Sequence, residues 1–359
     1  MESVLSQEEL PDFYEENLEN IAGILSFVLV EAAPEVATNE LIRCRQKAVR
    51  LVHMYQFKFS EYFAKYSGFF FERVWAMVIN KQVPATKAHE KLIQAVLRYL
   101  SEMATLPDLH EFYKANMLSL FELLIVPNIS ITEDDVEEYE CEPEVYVRND
   151  LEESDTETRR RQCMKFVQSL AKRFPVEVND LISSCVNSLL AEYQANREKE
   201  WIKKTTVLNL IITASITQYT YRAGAEQILI PFDLLGQYLE GLVLPELQEP
   251  QVDHLSQLKA TCVKFIYMFR NQIPDQMVPQ VVDMIANFLR SASFVNQSYA
   301  AACLEKLLLR RTGSGQPIFT PTTVNPDLLT KLLQGLCELL QSNKNLYAIR
   351  ALYRTVQLG

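Results

Sequence analysis

Glycine is scarce in this sequence, with 9 in 359 residues, against a usual share of about 7%. So little glycine leaves small scope for phosphate-cradling loops or for the left-handed positions of tight β-turns. Neither GxxxxGK nor GxGxxG occurs, and the one Gly-rich spot, Thr312-Gly313-Ser314-Gly315, falls between helical segments and reads as a linker. There are four histidines, His53, His89, His110 and His254. No two stand at metal-ligand spacing and there is no HExxH, so no metal site is expected. The seven cysteines, Cys44, Cys141, Cys163, Cys185, Cys262, Cys303 and Cys337, form no CxxC pair. An odd, scattered set reads as reduced thiols of a cytosolic or nuclear protein, six of them acting as small hydrophobes in helical patterns. In that compartment the N-x-S sequons at Asn128 and Asn296 carry no meaning. No segment has the roughly 20 apolar residues a membrane span needs, since the stretch from Ile24 to Val30 stops at Glu31. The acidic start fits neither a signal nor a transit peptide. Period-two alternation is missing too, so no strand is expected.

Helical periodicity is what the chain has. Leu41, Cys44, Ala48, Leu51, Val52 and Tyr55 recur at spacings of three and four, as do Cys163, Phe166, Val167, Leu170 and Phe174. Leu329, Leu332, Leu333, Leu336 and Leu340 give the same stripe. Each marks an amphipathic helix with one buried face. Ser154 and Glu157 form a capping box before the helix that carries Cys163. Pro127, Pro175, Pro245 and Pro274 stand where helices should stop. Read this way, helices pair as 11–32 with 38–58, 60–81 with 84–104, 110–126 with 156–174 and 176–196 with 198–218. Next come 228–247 with 252–271, 276–290 with 294–310 and 326–341 with 344–358. A period of roughly 35–50 residues per pair is that of HEAT or armadillo units, in which only stacked neighbours bury the apolar faces. The expected fold is an all-α, HEAT-repeat superhelical solenoid of seven helix pairs over 1–359, and the alternative is an irregular helical domain. The aromatics Phe69, Phe70, Phe71, Trp75 and Trp201 are expected in its core.

One pair is interrupted by an acidic insert at 127–158. Residues 131–158 hold thirteen carboxylates against Arg148 alone, a net charge of −12, whereas the whole chain carries −11. The acidity is therefore one segment. Such a run is either a solvated loop or a contact element. For contact speak its position inside a pair, its apolar residues Val136, Tyr139, Val145, Tyr146 and Val147, and its end at Arg159-Arg160-Arg161. Its field would attract a basic protein surface, with salt weakening the attraction, and would repel nucleic acid. Asp134, Asp135, Glu137, Glu138, Glu140, Asp150, Glu152 and Asp155 are assigned to the negative surface, with Tyr139 and Tyr146 as its anchors. Arg148, Arg159, Arg160 and Arg161 either tether the insert's carboxylates or meet a partner. Three consecutive arginines on a helix cannot share one narrow face. Glu137 and Glu138 make no acid–base pair, because nothing separates their environments. No catalytic residue is assigned, and the chain reads as a binder.

At the insert the sequence resembles the importin-α re-exporters of the β-karyopherin superfamily, the exportin-2 or cellular apoptosis susceptibility group. The resemblance lies in Glu137-Glu138-Tyr139, Tyr146-Val147-Arg148, the run from Asp150 to Asp155, and Arg159-Arg160-Arg161. It continues collinearly through CVNSLLAEY (185–193), Trp201 to Lys204, MFRNQIP (268–274) and YAAACLEKL (299–307), and upstream through LPDFYEENLENI (10–21) and LIVPNIS (124–130). Cys141 and Lys203-Lys204-Thr205-Thr206 depart from the group's usual residues. The resemblance implies a HEAT-repeat solenoid that binds Ran-GTP and importin-α and shuttles through nuclear pores between nucleus and cytoplasm, with nuclear pore proteins as further partners. From the residues themselves, no cofactor, no metal, no nucleic acid and no membrane insertion are expected. The resemblance covers only the middle of the group's longer chains, so a central fragment is expected. Another β-karyopherin with a different cargo, or a HEAT scaffold subunit, are the competing readings.

Overall fold

The computed structural model describes residues 10–30, 38–151, 158–220 and 224–359. They fold as packed helices, with one row of helices covered by others in each of two compact units. One holds Met1–Thr132 with Glu157–Ser183; the other holds Glu133–Thr156 with Ser184–Gly359. In the first unit the inner helices Thr38–Lys58, Glu90–Met103 and Arg159–Arg173 lie side by side. Their outer partners include Leu18–Val30 and Ser67–Ile79, which pack on one another. In the second unit the inner row is Trp201–Ser215, Ser256–Met268, Phe294–Leu307 and Leu346–Val356. Val278–Ala286 and Pro326–Ser342 pack together in its outer layer. The inner helices are the core. Ser256–Met268 is buried along its whole middle, because neighbours cover it on more than one side.

Two of the four expected helix stops do not occur. The helix His110–Leu120 runs on through a π-helical stretch, Phe121–Ile125, into Val126–Ile129, past Pro127. The helix Phe232–Tyr238 likewise passes Pro245 after a π-helical stretch, Leu239–Val243, into Leu244–Gln248. Proline cannot donate to residue i−4 and its ring crowds that carbonyl. A π-turn just before it changes the bonding register and relieves the crowding. Pro175 instead opens the helix Pro175–Ala195, and Pro274 caps a short 3₁₀ turn. Helix Arg159–Arg173 is capped by Thr158, whose hydroxyl accepts from the Arg161 N–H at 3.2 Å. Ser154 and Glu157 lie outside the described residues.

The fold is all-α as expected, but it carries one β-hairpin where no strand was expected. Strand Ile216–Thr220 pairs antiparallel with Gly224–Ile228, with register shifts between 216 and 219. Those shifts erase the alternation that would announce a strand. The hairpin is tied to the helical layer by Gln272, whose Nε2 donates to the Ala225 carbonyl at 2.8 Å. Gly224 is required there: its φ is +81°, and a Cβ would sit 2.7 Å from Arg270 Nη1 and 2.9 Å from the Met268 carbonyl oxygen. Gly224→Ala should therefore destabilise the second unit by about 1–3 kcal/mol, read as a fall in its chemical-denaturation midpoint. An unchanged midpoint would show that the turn can re-form around a side chain.

Three cysteines, Cys163, Cys262 and Cys303, are core residues, and burial pushes the Cys163 and Cys262 thiols up to about 12. Cys44, Cys141 and Cys337 are exposed instead. Phe70 and Phe71 are buried as expected, but Phe69 is 41% exposed under the Arg73 guanidinium. Among the described residues one helical run, Pro107–Cys141, is long and apolar enough to cross a membrane by length and composition alone. Phe121, Leu124 and Ile125 of that run are fully buried in the first unit, as in the core helix of a repeat.

Candidate protein-binding interface on the acidic insert

The insert folds as two short helices, Glu133–Cys141 and Pro143–Leu151. Carboxylates fill the first turn of the former, where they face the positive end of the helix dipole. Pro143 opens the latter, where a missing N–H is harmless. Both helices belong to the second unit, and Pro143–Leu151 packs on Phe294–Leu307.

The residues facing inward hold the insert down. Tyr139 and Tyr146 are buried, 8% and 7% exposed, and meet edge to face with ring centres 5.4 Å apart. Val147 and Leu151 complete the apolar underside. The Tyr139 hydroxyl lies 2.7 Å from both Ser256 Oγ and Ser293 Oγ, and Asn296 Nδ2 donates to Ser256 Oγ at 2.9 Å. Burial raises the Tyr139 phenol above its ordinary value, while the two serine hydroxyls pull the other way. Asp150, expected on the negative surface, turns inward instead. It takes Lys264 Nζ at 2.6 Å and the Tyr299 hydroxyl, in a site where both charged side chains are nearly buried. Lys264, Tyr299, Ser256 and Ser293 thus complete the docking site, and nothing within the insert points to them.

The outward side is negative. Glu137 and Glu140 are exposed, as are Glu133, Glu142 and Glu144. Asp134, Asp135 and Glu138 are half-buried, and Glu138 accepts from Asn149 Nδ2 at 3.3 Å. Arg148 is exposed among them. Glu152 and Asp155 lie outside the described residues. Five exposed carboxylates within twelve residues make a concentrated field in high-dielectric surroundings, which steers association more than it adds affinity.

The three arginines divide. Arg159 is 5% exposed and is a tether, but within the first unit. Its guanidinium donates to the Asn128 carbonyl at 3.0 Å and to Thr132 Oγ1 at 3.1 Å, and Nε sits 3.6 Å from Glu90 Oε2. Its backbone N–H also donates to Glu90. Arg160 and Arg161 are half-buried. Among the described residues no three His, Cys, Asp or Glu side chains are placed to hold a metal ion.

Comparison with known proteins supplies the family. The profile of the family described as Cse1 matches residues 3–304. The chain belongs to the Cse1 family. It is 29% identical over 365 residues to Exportin-2 of Pagrus major, across 99% of this chain and 37% of that protein. The human Exportin-2 gives 28% over the same shares, and that of Dictyostelium discoideum 27% across 98% and 38%. A solved structure, the exportin Cse1 in its cargo-free, cytoplasmic state, superposes with a TM-score of 0.82 at 24% identity, covering 98% of this chain and 38% of that one. That match carries the fold, a HEAT-repeat solenoid. The chain spans little more than a third of the length of the curated relatives it matches.

Proposed function

We propose that this Cse1-family chain is part of a nuclear transport receptor that carries importin-α from nucleus to cytoplasm in a Ran-GTP-dependent complex. The reading supports a carrier that works by reversible protein contacts, shuttling between the two compartments, and not a catalyst. One observation carries it: the acidic insert is docked through Tyr139, Tyr146 and Asp150 while its exposed carboxylates face away from that docking site. A wholly solvated loop has no use for buried anchors. Helices fixed in place present a pre-organised charged surface and lose less entropy on binding. The repeat stack suits partner-driven bending, since its stability is spread over many weak neighbour interfaces.

The test uses a full-length family receptor carrying this chain's insert. Glu133, Glu137, Glu140 and Glu144 are replaced by lysine; all four are exposed, so the insert stays docked. Association with Ran-GTP and importin-α is followed at two salt concentrations. The on-rate at low salt should fall about tenfold, with a flatter salt dependence. Equal rates and equal salt slopes would remove the insert from the interface.

A further inference from the structure

His254 sets both of its ring nitrogens against carboxylates. Nε2 lies 2.9 and 3.0 Å from the two oxygens of Glu198, and Nδ1 lies 2.9 Å from Glu249 Oε1. A neutral imidazole has one N–H and one lone pair, so one of these contacts would bring lone pair against carboxylate. Only the imidazolium donates to both. The three residues come from separate places in the second unit. Glu198 lies in the turn 197–199 that leads into Trp201–Ser215, Glu249 follows the helix Leu244–Gln248, and His254 lies in the turn 252–255 just before Ser256–Met268. The neighbouring charges have other partners. Lys259 Nζ meets the second oxygen of Glu249 at 2.7 Å, Arg197 donates to Tyr193 and Glu246, and Asp253 accepts from the Ser291 hydroxyl and the Ala292 N–H.

The turn that the ring holds is strained. Leu255, next in the chain, has φ +48° and ψ +49°, a left-handed conformation rare for so bulky a side chain. Such a residue persists only where its surroundings fix it. Lys259, a buried residue, ties the turn through the Gln251 carbonyl and Glu249, and His254 ties it to Glu198. Ser256 follows Leu255, and its Oγ is one of the two hydroxyls that meet Tyr139 of the insert. What fixes Leu255 therefore also sets Ser256 against Tyr139. The bonds to Glu198 and then Glu249 lift the His254 ring above its ordinary value. Burial would raise the Glu249 carboxyl, but its bonds to Lys259 and His254 hold it below its ordinary value. A raised imidazole contributes its full stabilisation below the unfolded value, near 6.5, and loses it as pH rises through the folded value.

We propose that His254 is a proton-operated clasp on the insert's seat: its imidazolium joins the turns 197–199 and 252–255, and its deprotonation frees Leu255 and loosens Ser256 from Tyr139. The clasp does not depend on the transport reading. The ring would be titrated by NMR in the full chain, its signal identified by its loss in His254→Gln. It should titrate above 6.5, and closer to 6.5 in Glu198→Gln, which removes one of the two carboxylates. Amide protection, with the intrinsic pH dependence of exchange divided out, would be compared near pH 6 and near pH 8.5. Across residues 133–141 and 255–260 it should fall about threefold at the higher pH, a modest factor because partly exposed ion pairs are weak. Pro326–Ser342 should show no such fall, and His254→Gln should show the lower protection at both pH values. A ring that titrates at or below 6.5, or a fall in protection as large in His254→Gln as in the wild type, would overturn the proposal.

Discussion

Glu246→Ala should lower the stability of the second unit by about 3–5 kcal/mol. Glu246 is 1% exposed, and its Oε1 gathers three donors: Lys204 Nζ at 2.7 Å, the Tyr193 hydroxyl at 2.8 Å and Arg197 Nη2 at 2.9 Å. Burial alone would raise the carboxyl pKa, but the Lys204 bond and charge, with Tyr193 and Arg197, hold it below its ordinary value. Alanine leaves the buried Lys204 ammonium without this counter-ion. Trp201 lies on the same helix as Lys204, so its emission reports the second unit once Trp75 of the first is replaced by Phe. The denaturation midpoint should drop in Glu246→Ala and largely recover in Glu246→Leu with Lys204→Met, since a packed apolar pair can replace a buried ion pair. A depressed carboxylate contributes its stability above its unfolded pKa, near 4.3, and loses it as pH falls through the folded value. The gap between wild type and variant should therefore close in acid. A midpoint unmoved by Glu246→Ala would refute the network's contribution.

The second large effect is local. Asp150→Ala should release the insert from its docking site while the helical content of the rest stays intact. The change takes a carboxylate from Lys264 and a hydrogen-bond acceptor from Tyr299, worth about 3–5 kcal/mol for a broken buried pair. The remaining docking rests on the Tyr139 hydroxyl, at about 0.5–1.5 kcal/mol net per hydrogen bond, and on four apolar side chains. Amide exchange across residues 133–151 should speed up by a hundredfold or more, at 1.4 kcal/mol per tenfold. Tyr139→Phe, which keeps the ring and loses only the hydroxyl, should give a smaller acceleration. Exchange in Asp150→Ala equal to wild type would mean that the docked state does not need this ion pair.

The helices were legible because their apolar residues repeat every three or four positions, a signal that survives any tertiary arrangement. Even so, the buried face of Thr38–Lys58 is centred slightly away from the apolar stripe Leu41, Cys44, Ala48, Leu51, Val52 and Tyr55. Leu41 and Cys44 are not core residues, while Ile42, Arg45 and Val49 are. An arginine is counted as surface when only its type is known. The same blindness hid Asp150. Nothing distinguishes it from its acidic neighbours until Lys264, 114 residues away, is placed against it. Arg159 reads from sequence equally as a tether of the insert's carboxylates or as a partner contact, because the carboxylate it meets, Glu90, lies 69 residues upstream and outside the insert. Pro127 and Pro245 misled because the π-turns that accommodate them have no sequence signature. The hairpin was missed because its register shifts destroy the period on which strand reading depends.

The docking of the insert has a consequence for synthesis. Tyr139 waits for Ser256 and Ser293, 117 and 154 residues later, and Asp150 waits for Tyr299, 149 residues later. At about 5–20 residues per second, the insert leaves the ribosome roughly 7–30 s before its seat is complete. Throughout that interval the growing chain carries a naked, highly charged segment between hydrophobic repeats still lacking their neighbours. Mutual repulsion among its carboxylates keeps it from collapsing onto itself or onto another nascent copy. The same charges that suit the finished protein for contact with a partner would then also act as its solubiliser during translation.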